Sequence, residues 1–176
     1  MKTVLQWIAA ISLLGNIGLS EEGKLNEEEK THLVQEVKEM MKSFNEGDAK
    51  LLVEKTHPSI YKLAGGEENF KESLIQAAKQ IMDLGIKAIS DDISPPDRTY
   101  RAGEETVCFL PKKTVMEVNG QKIQSNSFMI AAKKEGKEWN YLDGAGLRKN
   151  PDMLWLFFPE LPKDIKLPEN TMSRIE

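Results

Sequence analysis

This chain of 176 residues predicts an α+β domain, with helices packed on one side of a curved antiparallel sheet. Three observations predict it. Apolar residues recur at helical spacing in three stretches between Asn26 and Gly85. From Ile86 onward the period changes to that of strands. Asn119-Gly120, the strongest short hairpin signal, then joins two long strand-like runs and makes them antiparallel neighbours.

The elements follow in order. Asn26 is placed as an N-cap, with Glu29 three residues on as its capping-box partner. Leu33, Val34, Val37, Met40, Met41 and Phe44 form one stripe of a long amphipathic helix, ended by Gly47. Asp48 caps a short helix through Leu51, Leu52 and Val53, which must stop near His57 because Pro58 disfavours helix before it. Ser59 to Leu63 reads as one further turn. A third long helix carries Phe70, Leu74, Ala77, Ala78 and Ile81 on one face and stops at Gly85. Strands are expected at 86–93, 99–101, 105–118, 121–134 and 137–143, with Pro111 marking an edge position or a bulge. Asn150-Pro151 opens a short apolar helix, MLWLFF, placed as a lid.

The N-terminus carries an address. Lys2 precedes an apolar run from Val4 to Leu14, and Gly18 and Ser20 stand two apart before Glu21-Glu22. That is the pattern of a secretory signal peptide. The expected organisation is a signal peptide over 1–20, one domain over 21–160 and an extended Pro-containing tail over 161–176. A spanning helix needs about 20 apolar residues. The stretch from Val4 to Leu19 is shorter and carries Gln6, Ser12 and Asn16, so a cleaved, exported chain is expected over an anchored one. No membrane contact is expected after cleavage.

Composition narrows the function. Without residues 1–20 the chain has 23 basic and 28 acidic side chains, interleaved. That excludes the basic footprint of a nucleic-acid binder. The one cysteine, Cys108, sits in the strand pattern VCFL and reads as a buried small hydrophobe. Two histidines and one cysteine are too few for a soft metal site, and Asp91, Asp92 and Asp97 lack calcium-loop spacing. No metal or cofactor is expected.

Two-residue turns at Asn119-Gly120 and Glu135-Gly136 set a register. The first puts Phe109 opposite Ile130 and Cys108 opposite Ala131; the second puts Ile130 opposite Tyr141 and Phe128 opposite Asp143. One face then gathers Val107, Phe109, Phe128, Ile130, Trp139, Tyr141 and Asp143. The other gathers Cys108, Leu110, Met129, Ala131 and Leu142. Both are apolar, so one meets the helices and the other needs the tail, the closing helix or a second subunit.

The helix order, the stretch FNEGDAKLLVEKTHPSIY and the W-x-Y-L-D-G ending of the last strand resemble the nuclear transport factor 2-like superfamily, a cystatin-like cone. The resemblance covers Asn26 to about Phe158 and points to its secreted bacterial members of unassigned function. It implies a ligand or active site between sheet and helices, for which His57, Tyr61, Tyr141 and Asp143 are candidates. No spacing here matches a dehydratase or isomerase signature of that superfamily.

Three function classes follow. The first is an exported small-molecule-binding domain with an apolar, aromatic pocket of Phe109, Phe128, Ile130, Trp139, Tyr141, Asp143 and Tyr61, taking a small apolar or amphipathic ligand. The second is an interaction module, homodimeric through the outer sheet face. The third is an acid–base enzyme of isomerase or dehydratase type using His57 and Asp143, which must then share one cavity. Against the last, His57 also reads as a helix-end residue bonding a free carbonyl, and Asp143 as an acceptor for turn amides.

Overall fold

Asn26 starts the first helix as its spacing predicts. Its Oδ1 accepts from the Glu29 N–H at 2.8 Å, and Glu29 Oε2 accepts from the Asn26 N–H at 3.2 Å. The structure, a computed structural model, describes residues 23–176; the expected signal segment and the start of the mature chain at Glu21 lie outside the described residues. Four helices come first: α1 (Glu27–Asn45), α2 (Lys50–Lys55), α3 (Ser59–Leu63) and α4 (Glu67–Asp83). Five strands follow: β1 (Lys87–Ile93), β2 (Thr99–Ala102), β3 (Glu105–Val118), β4 (Gln121–Lys134) and β5 (Asn140–Asp143). Two short 3-10 turns lead to α5 (Leu154–Phe157), and β6 (Thr171–Ile175) ends the chain.

The sheet is antiparallel, curved and unclosed, and the β3–β4 hairpin is its spine. Each outer edge of that hairpin is shared by two short strands. β1 and β2 divide β3; β5 and β6 divide β4. Pro111 sits where β3 changes partner, between Cys108 opposite Thr99 and Lys112 opposite Ile93. Its carbonyl accepts from the Ser94 N–H on that side, so its missing N–H falls in the gap between two neighbours. It therefore needs neither an edge nor a bulge. The bulge is in β1, where the register shifts between Ala88 and Ser90.

The first hairpin keeps the expected register, with Phe109 opposite Ile130 and Cys108 opposite Ala131. The second slips by one residue: Ile130 faces Leu142, Ala131 faces Tyr141 and Met129 faces Asp143. A one-residue slip moves every side chain to the other face. The expected single aromatic face is thus corrected to two half-sets. Tyr141 and Trp139 join Cys108, Leu110, Met129 and Ala131 beneath Leu33, Val37 and Met40 of α1. Phe109, Phe128, Ile130 and Leu142 form the opposite face.

That opposite face is covered by the C-terminal segment. Leu147, Leu154, Phe158 and Leu161 are buried against it, with Ile165 and Leu167 packed alongside. Trp155 Nε1 donates to the Leu161 carbonyl at 3.0 Å and pins the segment. Gly144 is required where this cover begins, because a Cβ there would lie 2.5 Å from the Phe128 ring. The tail is more than an extended run: Asn170 Nδ2 donates to the Gly144 carbonyl at 2.7 Å, and β6 then pairs with β4.

Candidate functional site

The helix-facing residues of β3 change character along the strand. Cys108 and Leu110 are apolar, whereas Lys112 and Thr114, next in phase, are polar. β4 repeats the change, with Ser127 opposite Lys112 and Ser125 opposite Thr114. Strand side chains alternate between faces, so these four polar groups point to the side that elsewhere forms the α1 core. There the helices stand off the sheet and leave a cavity of about 730 Å³. Met41, Phe44 and Asn45 of α1 and Ala78, Ile81 and Met82 of α4 form its upper wall. Met172 of β6 completes the rim. Met82 is 58 % exposed and Met172 52 % exposed, so the rim is apolar and open.

Lys112 is the deepest charge, 5 % exposed, and its Nζ donates to Asp143 Oδ2 at 2.6 Å. Asp143 stands at the end of β5 and its Oδ1 accepts the Ala145 N–H at 2.8 Å. One carboxylate therefore caps the turn and neutralises a buried ammonium. Arg148, just past that turn, donates to Ser125 Oγ at 2.9 Å. No carboxylate pairs with Arg148 among the described residues. Its buried Nε and the buried Ser127 Oγ have no hydrogen-bond partner there either. Buried polar groups are normally satisfied, so these two mark an incomplete corner. The wall beside it is firm: Asp91 accepts from Thr114 Oγ1 at 2.6 Å and from Asn45 Nδ2 at 3.1 Å.

Of the residues expected from sequence, only Asp143 lines this cavity. Phe128 and Ile130 are enclosed in the outer core. Phe109 edges a second, smaller cavity of about 400 Å³ with Tyr100, Ile165 and Lys166. Trp139 is buried on the helix side with Lys133 Nζ 4.5 Å above its ring. Tyr141 donates to Glu36 of α1, and burial first, then that carboxylate, holds its phenol well above the usual range. Glu36 also takes Lys55 Nζ at 2.9 Å, which with Glu138 raises the lysine's pKa. Tyr61 donates to the Val53 carbonyl at 2.6 Å and stacks at a tilt on Phe70, joining α3 to α2 and α4.

His57 is not brought to Asp143. Its Nδ1 accepts from the Ser59 N–H at 3.3 Å and lies 2.7 Å from Ser59 Oγ, so Nε2 carries the proton and meets Glu105 Oε1 at 3.1 Å. A serine, a histidine and a carboxylate in line have the connectivity of a nucleophilic relay. The ring packs on Phe158 with centroids 5.2 Å apart, however, and none of the three residues lines either cavity. The arrangement latches the α2–α3 junction to β3, helped by the His57 N–H on the Tyr141 carbonyl. Cys108 is fully buried and burial pushes its thiol up to about 12.

The residues that shape the cavity floor are Lys112, Ser125, Ser127 and Arg148, none of them foreseen as site residues. Their signal is the phase of polar residues with Cys108, Leu110, Met129 and Ala131 in the first hairpin. Among the described residues no cluster of His, Cys, Asp or Glu could hold a metal, and no helix is long and apolar enough to cross a membrane. Compared with known proteins, the chain matches no family model, no curated protein and no solved structure.

Proposed function

We propose that the protein is an exported small-molecule-binding domain, of nuclear transport factor 2-like type, whose ligand occupies the cavity between α1, α4 and the sheet. The observation that carries this reading is the cavity's make-up: an apolar rim over a floor of Lys112, Ser125, Ser127 and Asp143. Its volume of about 730 Å³ lies within the range of ligand pockets, about 300–1,000 Å³. Export rests on the pattern of Met1 to Ser20. The face on which a homodimer was expected is covered by the chain's own C-terminal segment. An acid–base reading has His57 and Asp143 on different partners and away from one cavity.

The test uses Nile red, an uncharged dye that brightens in apolar sites, on the protein purified from an exporting host. The dye should bind with a blue-shifted emission and a single site. Ala88→Trp, at an exposed cavity-lining position, should fill the space and abolish that signal while the circular dichroism stays unchanged. Intact mass should place the N-terminus at Glu21. No dye binding, or binding that Ala88→Trp leaves untouched, would overturn the cavity as the ligand site.

A further inference from the structure

We propose that the ligand of this cavity is an amphipathic monoanion, a carboxylate on a flexible apolar chain, with its head between Arg148 and Ser127 and its chain along α4. The inference rests on the cavity being a ligand site, and it names the chemical class. Three observations lead to it.

The first is charge. Lys112 is paired with Asp143 at 2.6 Å, whereas among the described residues Arg148 meets only a neutral hydroxyl, Ser125 Oγ. The deep floor therefore holds one more cation than anion. A single negative charge balances the floor, and the exposed Lys87 of β1 adds a further cation to the cavity lining. The second is unsatisfied hydrogen bonding. Among the described residues Arg148 Nε–H has no acceptor, and Ser127 Oγ, 2 % exposed, has no partner. A buried donor or hydroxyl left unpaired keeps its full desolvation penalty, which a ligand acceptor relieves. A carboxylate supplies only acceptors, one oxygen for each group, and charge-assisted bonds to arginine are among the strong ones. The third is the rim. Ile81 and Met82 of α4 and Met172 of β6 are large, apolar and exposed, and all line the cavity. Phe70 at the start of α4 packs on Tyr61 and Ala78 is buried, whereas Ile81 and Met82 at its end are uncovered on the cavity side. Methionines adapt to an irregular chain better than branched residues do. The polar corner and the apolar stripe belong to one cavity, so a single molecule with one charged end covers both.

The test is displacement of Nile red by four molecules with the same ten-carbon chain: decanoate, decanol, decyl phosphate and decyltrimethylammonium. Decanoate should compete at a concentration about tenfold or more below decanol, the worth of a charge-assisted hydrogen bond. Arg148→Met should remove that advantage and leave decanol unchanged. Ser127→Ala should weaken decanoate by a smaller factor, since its hydroxyl has no other partner to lose, and this variant serves if Arg148→Met does not fold. Equal competition by decanoate and decanol would mean that water fills the polar corner and would overturn the head assignment while the cavity stands. Preference for decyl phosphate or for the ammonium would overturn it as well. If none of the four displaces the dye, the amphipathic-anion assignment fails, while dye binding that Ala88→Trp abolishes still marks the cavity as a ligand site.

Discussion

Lys112 and Asp143 form an ion pair whose halves live in different surroundings. The ammonium is 5 % exposed and the carboxylate 45 %. Such a pair is asymmetric to mutation. Asp143→Asn keeps an oxygen for the Ala145 N–H but leaves the ammonium buried beside a neutral amide. Breaking a buried pair from one side costs about 3–5 kcal/mol. The open carboxylate is partly screened, so about 2 kcal/mol is expected here. Lys112→Met removes the buried charge, and Asp143 turns to water while still capping the turn. That change should cost less than about 1 kcal/mol. Urea unfolding of the two variants checks the order. If Lys112→Met proved the more damaging, the ammonium would hold the floor together by contacts other than Asp143. The same pairing leaves Arg148, and not Lys112, as the floor cation without a carboxylate among the described residues.

At the scale of elements, the two hairpin turns behave differently for a backbone reason. Asn119 and Gly120 both have positive φ, 52° and 74°, the type I′ pattern that matches strand twist and fixes the register. Gly120→Ala should cost about 1 kcal/mol with the sheet intact, read as a lowered urea midpoint at unchanged slope; an unchanged midpoint would mean the turn relaxes freely. In Glu135-Gly136 only the glycine is positive, at 69°, and the Lys137 N–H closes on the Lys134 carbonyl, a type II turn. Such turns splay the strands, so pairing resumes only at Asn140, one residue out of the expected phase. Asn-Gly was legible because asparagine tolerates that conformation; Glu-Gly was not, because glutamate does not. The helices, the Asn26 capping box and the first hairpin could be read from spacing alone, whereas α2 starts from Ala49, one residue after the expected cap Asp48, whose carboxylate accepts from the Lys50 N–H. The placement of α4 could not be read so. Its stripe of Phe70, Leu74, Ala78 and Ile81 signals a helix, but only Ala78 finds burial. What lies under a helix depends on long-range packing that periodicity does not encode. The floor was half legible: the register of the first hairpin already puts Lys112 and Ser127 in phase with Leu110 and Met129.

Across the whole molecule, the β3–β4 spine is covered at one end on both faces and left open at the other on the helix side. Closure at the first end puts two acids in the dry core, the Cys108 thiol and the Tyr141 phenol. Burial raises the thiol from 9.0 to about 12 and also raises the phenol, to which the Glu36 carboxylate adds. Both groups are neutral when protonated, so the folded state holds its protons to higher pH than the unfolded chain does. Between pH 9.0 and about 12 the unfolded chain has lost the thiol proton and the native state has not. Stability then falls as pH rises. Below the unfolded value neither state has released the proton, and the stability is flat. One unit above it, the thiol alone should remove about 1.4 kcal/mol, and the phenol adds its share above its own unfolded value. Urea unfolding of the native sequence and of Cys108→Ala, at about pH 8 and about pH 10, separates this from general charge repulsion. Cys108→Ala is expected to start less stable, because it leaves a small void, and to lose less on the way up. Parallel losses in the two proteins would mean that the thiol ionises in place and that water reaches the core beneath α1, in which case the closed end of the spine would be no drier than the cavity at the other.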